Sequence, residues 1–164
     1  MSADPKVLTA LDAAGIVYEV VACDPNLADT AAFCDAYDVP VEQSANAILV
    51  ASKKPPGLHV VCLVLAHTRL DVNGLVRKKL GARKVSFAPA ELTLELTGQQ
   101  IGGVTVFGLP QELAVWVDSR VLEPEWVIIG AGSRSAKIKM DPRQLEGLVG
   151  FEIVPDLARP IDAG

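Results

Sequence analysis

The chain has 164 residues, half of them hydrophobic, with a mean hydropathy of +0.32 and a formal net charge of −5. That length and apolar content suit one domain, residues 1–164, with a single sizeable core. An acidic total with pI near 5.0 excludes wholesale coating of nucleic acid, and no apolar run approaches the ~20 residues a bilayer-spanning helix needs, so no membrane partner is expected.

The N-terminal stretch lacks the apolar core of a secretory leader, because Thr9 and Asp12 interrupt it, and the expected address is cytoplasmic. Asp4 before Pro5 reads as a helix start, Val7, Leu8 and Leu11 recur at helical spacing, and Gly15 supplies a stop. "IVYEVVAC" has the β-branched and aromatic content of a strand. Asp29 is placed to cap a short helix through "TAAFCDAY", which ends before Pro40. "NAILVAS" and "LHVVCLVLA", joined by "KKPPG", predict a hairpin. Their nearly continuous apolar content predicts burial on both faces.

Asp71 caps an expected helix "VNGLVRKKL" that closes at Gly81, followed by a short strand "KVSFA" and a helix "PAELTLEL" ending at Gly98. In the second half "GGVTVFG", "LAVWVDS" and "EWVIIGAG" read as strands, and "AKIKM" as a half-exposed strand with its lysines outward. Asp141 and Pro142 open a last expected helix through "RQLEGLV", "FEIV" is a final strand, and a tail follows Pro155. The fold class is therefore α/β: one compact domain with a mixed, mostly antiparallel β-sheet wrapped by helices.

Three widely spaced cysteines, Cys23, Cys34 and Cys62, without a C-x-x-C pair, point to reduced thiols and away from a zinc site. His59 and Cys62 are three apart in a strand and face opposite ways, so no metal is expected. No G-x-S-x-G elbow supports a serine triad, and "GAGSRS" lacks the third glycine of a dinucleotide fingerprint, leaving a turn between strands. Gly102 and Gly103 in "GQQIGGVTVFGLP" allow close approach either of backbone to backbone or of backbone to ligand. Asn46, at the head of the apolar run, either caps a strand end or faces something that binds, since a buried amide needs partners. Two basic clusters, Arg77, Lys78, Lys79, Arg83 and Lys84, then Arg134, Lys137 and Lys139, read by pattern as solvated faces.

Taken in order, "QSANAIL", "LVLAHTRLDVNGLVRKKLGARKVSFA", "TGQQIGGVTVFG", "VWVDSRV" and "IIGAGSRSAKIKMDPRQL" make the chain resemble the YbaK/EbsC family. This is the prolyl-tRNA synthetase associated domain, whose members edit aminoacyl-tRNA. The resemblance implies a pocket for the aminoacylated 3' end of tRNA, hydrolysis of the ester, and no cofactor. It implies tRNA as a partner, an aminoacyl-tRNA synthetase as a further one, and leaves the oligomeric state open.

Carried over by the resemblance, Asn46, Gly102 and Gly103 would be catalytic, glycine amides meeting the charge that develops on the ester oxygen. Gly130, Gly132, Asp118, His67 and Thr68 would bind substrate, with a strand-end cap as the plainer reading of Asp118. Arg77, Lys78, Lys79 and Lys84 would contact tRNA phosphate. Two positions depart from the family pattern: relatives carry a lysine, commonly followed by threonine, where this chain has Asn46 and Ala47, and a proline where it has Val106. A charged hydrogen bond is worth about 1.5–3 kcal/mol against about 1 for a neutral one, so the asparagine weakens any such contact. The expected function is a trans-editing deacylase for a mischarged tRNA carrying a small amino acid. The alternative is a non-catalytic module that binds an aminoacyl-tRNA 3' end or a related small ligand.

Overall fold

The computed structural model of the protein describes residues 3–161. Helix α1, Pro5–Ala13, starts where the sequence places it: the Asp4 carboxylate accepts the Lys6 amide at 2.9 Å, and Val7 and Leu11 are buried. Strand β1, Tyr18–Ala22, follows, then α2, Thr30–Tyr37, which ends on Asp38 in the left-handed region at φ 57°.

The predicted hairpin is β2, Ala45–Lys54, with β3, Pro56–Leu65. Asn46 lies opposite Val64 and Leu49 opposite Val61. A short strand β4, Thr68–Leu70, precedes a π-helical turn, Val72–Val76, that runs into α3, Arg77–Leu80. The Asp71 carboxylate caps this segment, accepting the Gly74 and Leu75 amides. Strand β5, Lys84–Phe87, and helix α4, Ala90–Thr97, match their predicted places. The remaining strands are β6, Ala114–Asp118; β7, Val127–Gly130; β8, Ala136–Met140; β9, Phe151–Val154; and β10, Ala158–Pro160.

Three sheets result. A five-stranded sheet in the order β5-β2-β3-β6-β9 is antiparallel around β2 and parallel from β3 to β9. An antiparallel sheet β1-β8-β7 packs against it, touching it edge to edge at a bridge between Ser44 and Ile128. The third is a ribbon of β4 and β10. The main core lies between the two larger sheets and α1, where Leu49, Leu63 and Val117 meet Ile129, Ile138 and Leu11. On the far side of the five-stranded sheet, Val50, Val60, Cys62 and Trp116 are covered by Val76 of the π-helical turn and by Leu157. Burial on two faces explains why the hairpin strands carry almost no polar residue.

Four expectations fail locally. "GGVTVFG" is a looped segment, not a strand: Gly102 and Gly108 adopt φ 92° and 74°, values that break an extended ladder. "RQLEGLV" forms only a single 3-10 turn, Pro142–Leu145, and Gly147 then turns left-handed at φ 78°. "AKIKM" is a strand, but Lys137 is buried, not outward. The tail beyond Pro155 is not loose: β10 pairs with β4, Arg159 opposite Arg69.

Candidate functional site

Strand β5 reaches only as far as Val50 on β2, and the Ala88 amide closes onto the Leu49 carbonyl. Below that point the β2 edge, from Ala45 to Ile48, is left open, and a cavity of about 380 Å³ occupies the gap between it and β7. Antiparallel bonding alternates along a strand. Leu49 directs its carbonyl away from β3, so Ala47 directs its own N–H and C=O the same way, toward the cavity. The walls include Ile48, Leu49, Val104, Ile128 and Ile129, and the polar groups come from Asp29, Thr30, Ser44, Asn46, Thr93 and Lys137.

Asn46 lines the cavity, and its Oδ1 accepts a 2.5 Å hydrogen bond from the Thr30 hydroxyl at the start of α2. The amide nitrogen keeps two donors directed elsewhere. Gly102 and Gly130 also line the cavity; Gly103 and Gly132 are not among its lining residues. A side chain on Gly103 would strike the Ser133 backbone, and one on Gly130 the Val104 carbonyl, so these glycines serve close approach of backbone to backbone. The Gly103 amide already donates to the Gln100 carbonyl at 2.8 Å, and the Gly132 amide to the Gly103 carbonyl at 2.7 Å. Neither is free to meet an oxyanion.

The cation in the cavity is Lys137, which pattern alone assigned to a solvated face. Its ammonium donates to the carbonyls of Ala28 at 2.6 Å and Gly102 at 3.0 Å, and lies 5.5 Å from the centre of the Phe33 ring. Two of three donors are thereby held, leaving one. Burial lowers the lysine pKa from its ordinary value, and Arg134 adds to that, while Cys23, Asp29 and Cys34 oppose it. Burial raises the Cys23 and Cys34 thiols from their ordinary value. Arg134 is likewise no solvated cation. Its guanidinium bonds the carbonyls of Pro25 and Ile101 and pairs with Asp29 at 3.2 Å, drawing the Asp29 carboxylate away from the capping role expected of it. Lys139 stacks its ammonium 4.4 Å from the Trp126 ring centre.

The glycine loop is held by a residue the sequence did not single out. Gln99, 2% exposed, accepts the Thr105 amide and donates to the Phe107 carbonyl, both at 2.9 Å. One buried amide thus spans the loop around Val106.

Asp118, His67 and Thr68 lie away from the cavity. Asp118 ends β6, fully buried, 3.8 Å from the Arg120 guanidinium, with the amides of Ala158, Arg120 and Leu157 around it but none in strict hydrogen-bonding geometry. Thr68 donates to the Leu65 carbonyl, and His67 has its Nδ1 buried without a partner. Among the proposed tRNA contacts, Lys79 is paired with Glu152 at 2.6 Å and covers Trp116, and Arg77 bonds the Asn73 carbonyl. Lys78 and Lys84 remain exposed. The signal for Lys137 was faint: a lysine between Ala136 and Ile138, opposite the small residue Gly130. Its carbonyl partners are 109 and 35 residues away in sequence, beyond any local pattern.

Among the described residues no group of three histidine, cysteine or carboxylate side chains is arranged to hold a metal, and no helix is long and apolar enough to cross a membrane. No histidine or cysteine lines the cavity. The site offers donors, an apolar wall and one carboxylate, Asp29, which is paired with Arg134, and among the described residues it holds no paired base and nucleophile.

The uncharacterized protein YwhH of Bacillus subtilis (strain 168) is 32% identical over 113 residues, covering 64% of this chain and 71% of YwhH. The fold matches the hypothetical protein APE2540 at a TM-score of 0.82 and 24% identity, over 94% of this chain and 99% of that one. It matches at 0.79 and 23% identity, over 98% and 100%, a structure provisionally described as a trans-editing enzyme for prolyl tRNA synthetase. The family profile of the aminoacyl-tRNA editing domain covers residues 24–148, from the loop that receives Lys137 to the turn after β8, and the chain therefore belongs to that family.

Proposed function

We propose that the protein is a trans-editing deacylase that hydrolyses the ester between a small amino acid and the terminal ribose of a mischarged tRNA. The observation that carries this reading is the buried Lys137 ammonium in a cavity that also holds the Asn46 amide and the open β2 edge. An ester carbonyl under attack by water gathers negative charge on its oxygen, and preorganised donors in a water-poor site stabilise that charge. Lys137 supplies a charged donor, and Asn46 Nδ2 and the Ala47 amide supply neutral ones. The oxygen nucleophile is water. Without a paired protein base, its proton passes to a second water or to a hydroxyl of the substrate.

In this reading the cation comes from β8. The family resemblance implies a lysine at the start of β2; here that position is Asn46, and Lys137 brings an ammonium from β8 into the same cavity. At about 380 Å³ the cavity sits at the small end of ligand sites, which favours a compact side chain beside the ester. Ile48, Val104 and Ile129 in its walls oppose charged side chains.

The test is release of labelled amino acid from tRNAs charged with alanine, serine, cysteine, threonine or proline, with spontaneous hydrolysis subtracted. Selective acceleration is expected. Failure on every ester with folded protein would remove the deacylase. The second reading, a binding module, is favoured by the engaged amides of Gly103 and Gly132, and it requires saturable binding of a charged tRNA with no hydrolysis.

A further inference from the structure

In the ribbon of β4 and β10, Arg69 lies directly opposite Arg159. The Asp71 amide donates to the Leu157 carbonyl and the Ile161 amide to the His67 carbonyl, which carries the antiparallel bonding one residue past each strand. Alternation then puts Arg69 and Arg159 at a hydrogen-bonded position, with Cα atoms about 5.5 Å apart. Side chains also alternate, so Arg69 and Asp71 leave one chain on the side where Arg159 and Ile161 leave the other, while Thr68, Leu70 and Ala158 are buried. The four residues line a second cavity, of about 490 Å³, with Pro160 and with Gly74 of the π-helical turn. It shares no lining residue with the cavity between β2 and β7.

Like charges placed directly opposite in a ladder oppose folding. One carboxylate, Asp71, stands with the two arginines, and it is already engaged: its oxygens accept the Gly74 and Leu75 amides at 3.1 and 3.2 Å, and Arg159 approaches to 3.6 Å. Among the described residues Arg69 has no ion-pair partner. The cavity therefore carries one positive charge in excess, in a chain whose total is −5, beside an isoleucine that is 53% exposed. A charge pair that costs stability, a hollow and an apolar side chain left in water together fit a ligand that brings the missing negative charge.

We propose that this hollow binds a small phosphate monoester, its phosphate held between Arg69 and Arg159 and its organic part resting on Ile161 and Pro160. A guanidinium presents a planar fork of donors that matches phosphate oxygens, and two forks on adjacent strands can engage different oxygens of one phosphate. The volume falls within the range of small-molecule sites and leaves room for more than the phosphate itself. One excess charge matches a single phosphate group and not the repeated charges of a nucleic-acid strand. The site does not depend on the deacylase reading.

The test is isothermal titration calorimetry of the full chain with phenyl phosphate, inorganic phosphate and sulfate at matched ionic strength. Phenyl phosphate should bind saturably, one per chain, and more tightly than the two inorganic ions. Arg69→Ala should weaken it by about ten- to a hundredfold, the share of one charged hydrogen-bonding partner. The same variant should melt no lower than the parent, because it removes one of two opposed charges. Ile161→Ser should bring phenyl phosphate down toward inorganic phosphate and leave the latter unchanged. A control, Lys6→Ala, which removes an exposed charge on α1, should bind as the parent does. Absence of saturable binding by folded parent or unchanged affinity in Arg69→Ala overturns the proposal. So does equal binding of all three probes, the mark of an adventitious ion only, and so does displacement of phenyl phosphate by uncharged tRNA, which would give the arginines to nucleic acid. A parent that fails as a deacylase yet shows the expected pattern keeps this site.

Discussion

On the proposed deacylase reading, Lys137 is the residue on which the chemistry would turn, and its two carbonyl partners make it more than a charge. Lys137→Met keeps the length of the side chain and removes the ammonium, leaving the Ala28 and Gly102 carbonyls without their donor. Loss of one preorganised donor to an oxyanion costs about 10²–10³ in rate. We expect deacylation to fall by at least that factor, with a smaller change in KM. If only melting temperature moved while the rate held, Lys137 would be a structural tie alone. The pH profile separates the roles further. With its pKa lowered chiefly by burial, Lys137 loses its proton below the ordinary lysine range, and the enzymatic rate above background should fall with rising pH there. For stability the sign is opposite: the unfolded chain holds the proton longer, so folding is favoured as pH rises through that window. Sequence made Asn46 visible, because an amide in an apolar strand is conspicuous. It hid Lys137, because two lysines at alternate positions look like an outer face.

At the level of elements, the helix starts and the central hairpin were readable because their causes are local. Asp4 with Pro5, Asp71, and two uninterrupted apolar runs each act within a few residues. The glycine loop was not, since its valine, threonine and phenylalanine favour a strand on local grounds. What holds it out of a ladder is Gln99, reaching the backbone on either side of Val106. Gln99→Leu is close in volume and strips both hydrogen bonds, leaving the Thr105 amide and the Phe107 carbonyl buried and unmet. At about 1–3 kcal/mol for each unsatisfied buried group, the expected loss is about 2–6 kcal/mol in urea denaturation. The loop carries Gly102, whose carbonyl anchors Lys137, so deacylation should fall along with stability. A variant that loses less than about 0.5 kcal/mol would show that the close packing of Gly103 against Ser133 holds the loop without Gln99.

Across the whole molecule, the far side of the main sheet is closed by a segment that the sequence left as a tail. Arg120 donates to the Ala158 carbonyl at 2.7 Å and lies 3.6 Å from Asp156, drawing β10 onto the end of β6 where Asp118 is buried. Burial raises the Asp118 pKa, and Arg120 and the nearby amides of Ala158, Arg120 and Leu157 only partly offset it. The native state therefore keeps a proton that the unfolded chain has already released. Stability from this group is fully present below the ordinary carboxyl pKa and declines as pH rises through the raised one. Asp118→Asn holds a neutral side chain of the same shape at every pH. Thermal melts of parent and variant from pH 4 to 7 should diverge, the parent losing stability relative to the variant as its carboxylate ionises. Parallel curves would mean that Arg120 fully compensates the charge. Because Asp118 lies away from the cavity, ester hydrolysis by the variant should match the parent, which would separate the closure of β10 from the editing chemistry.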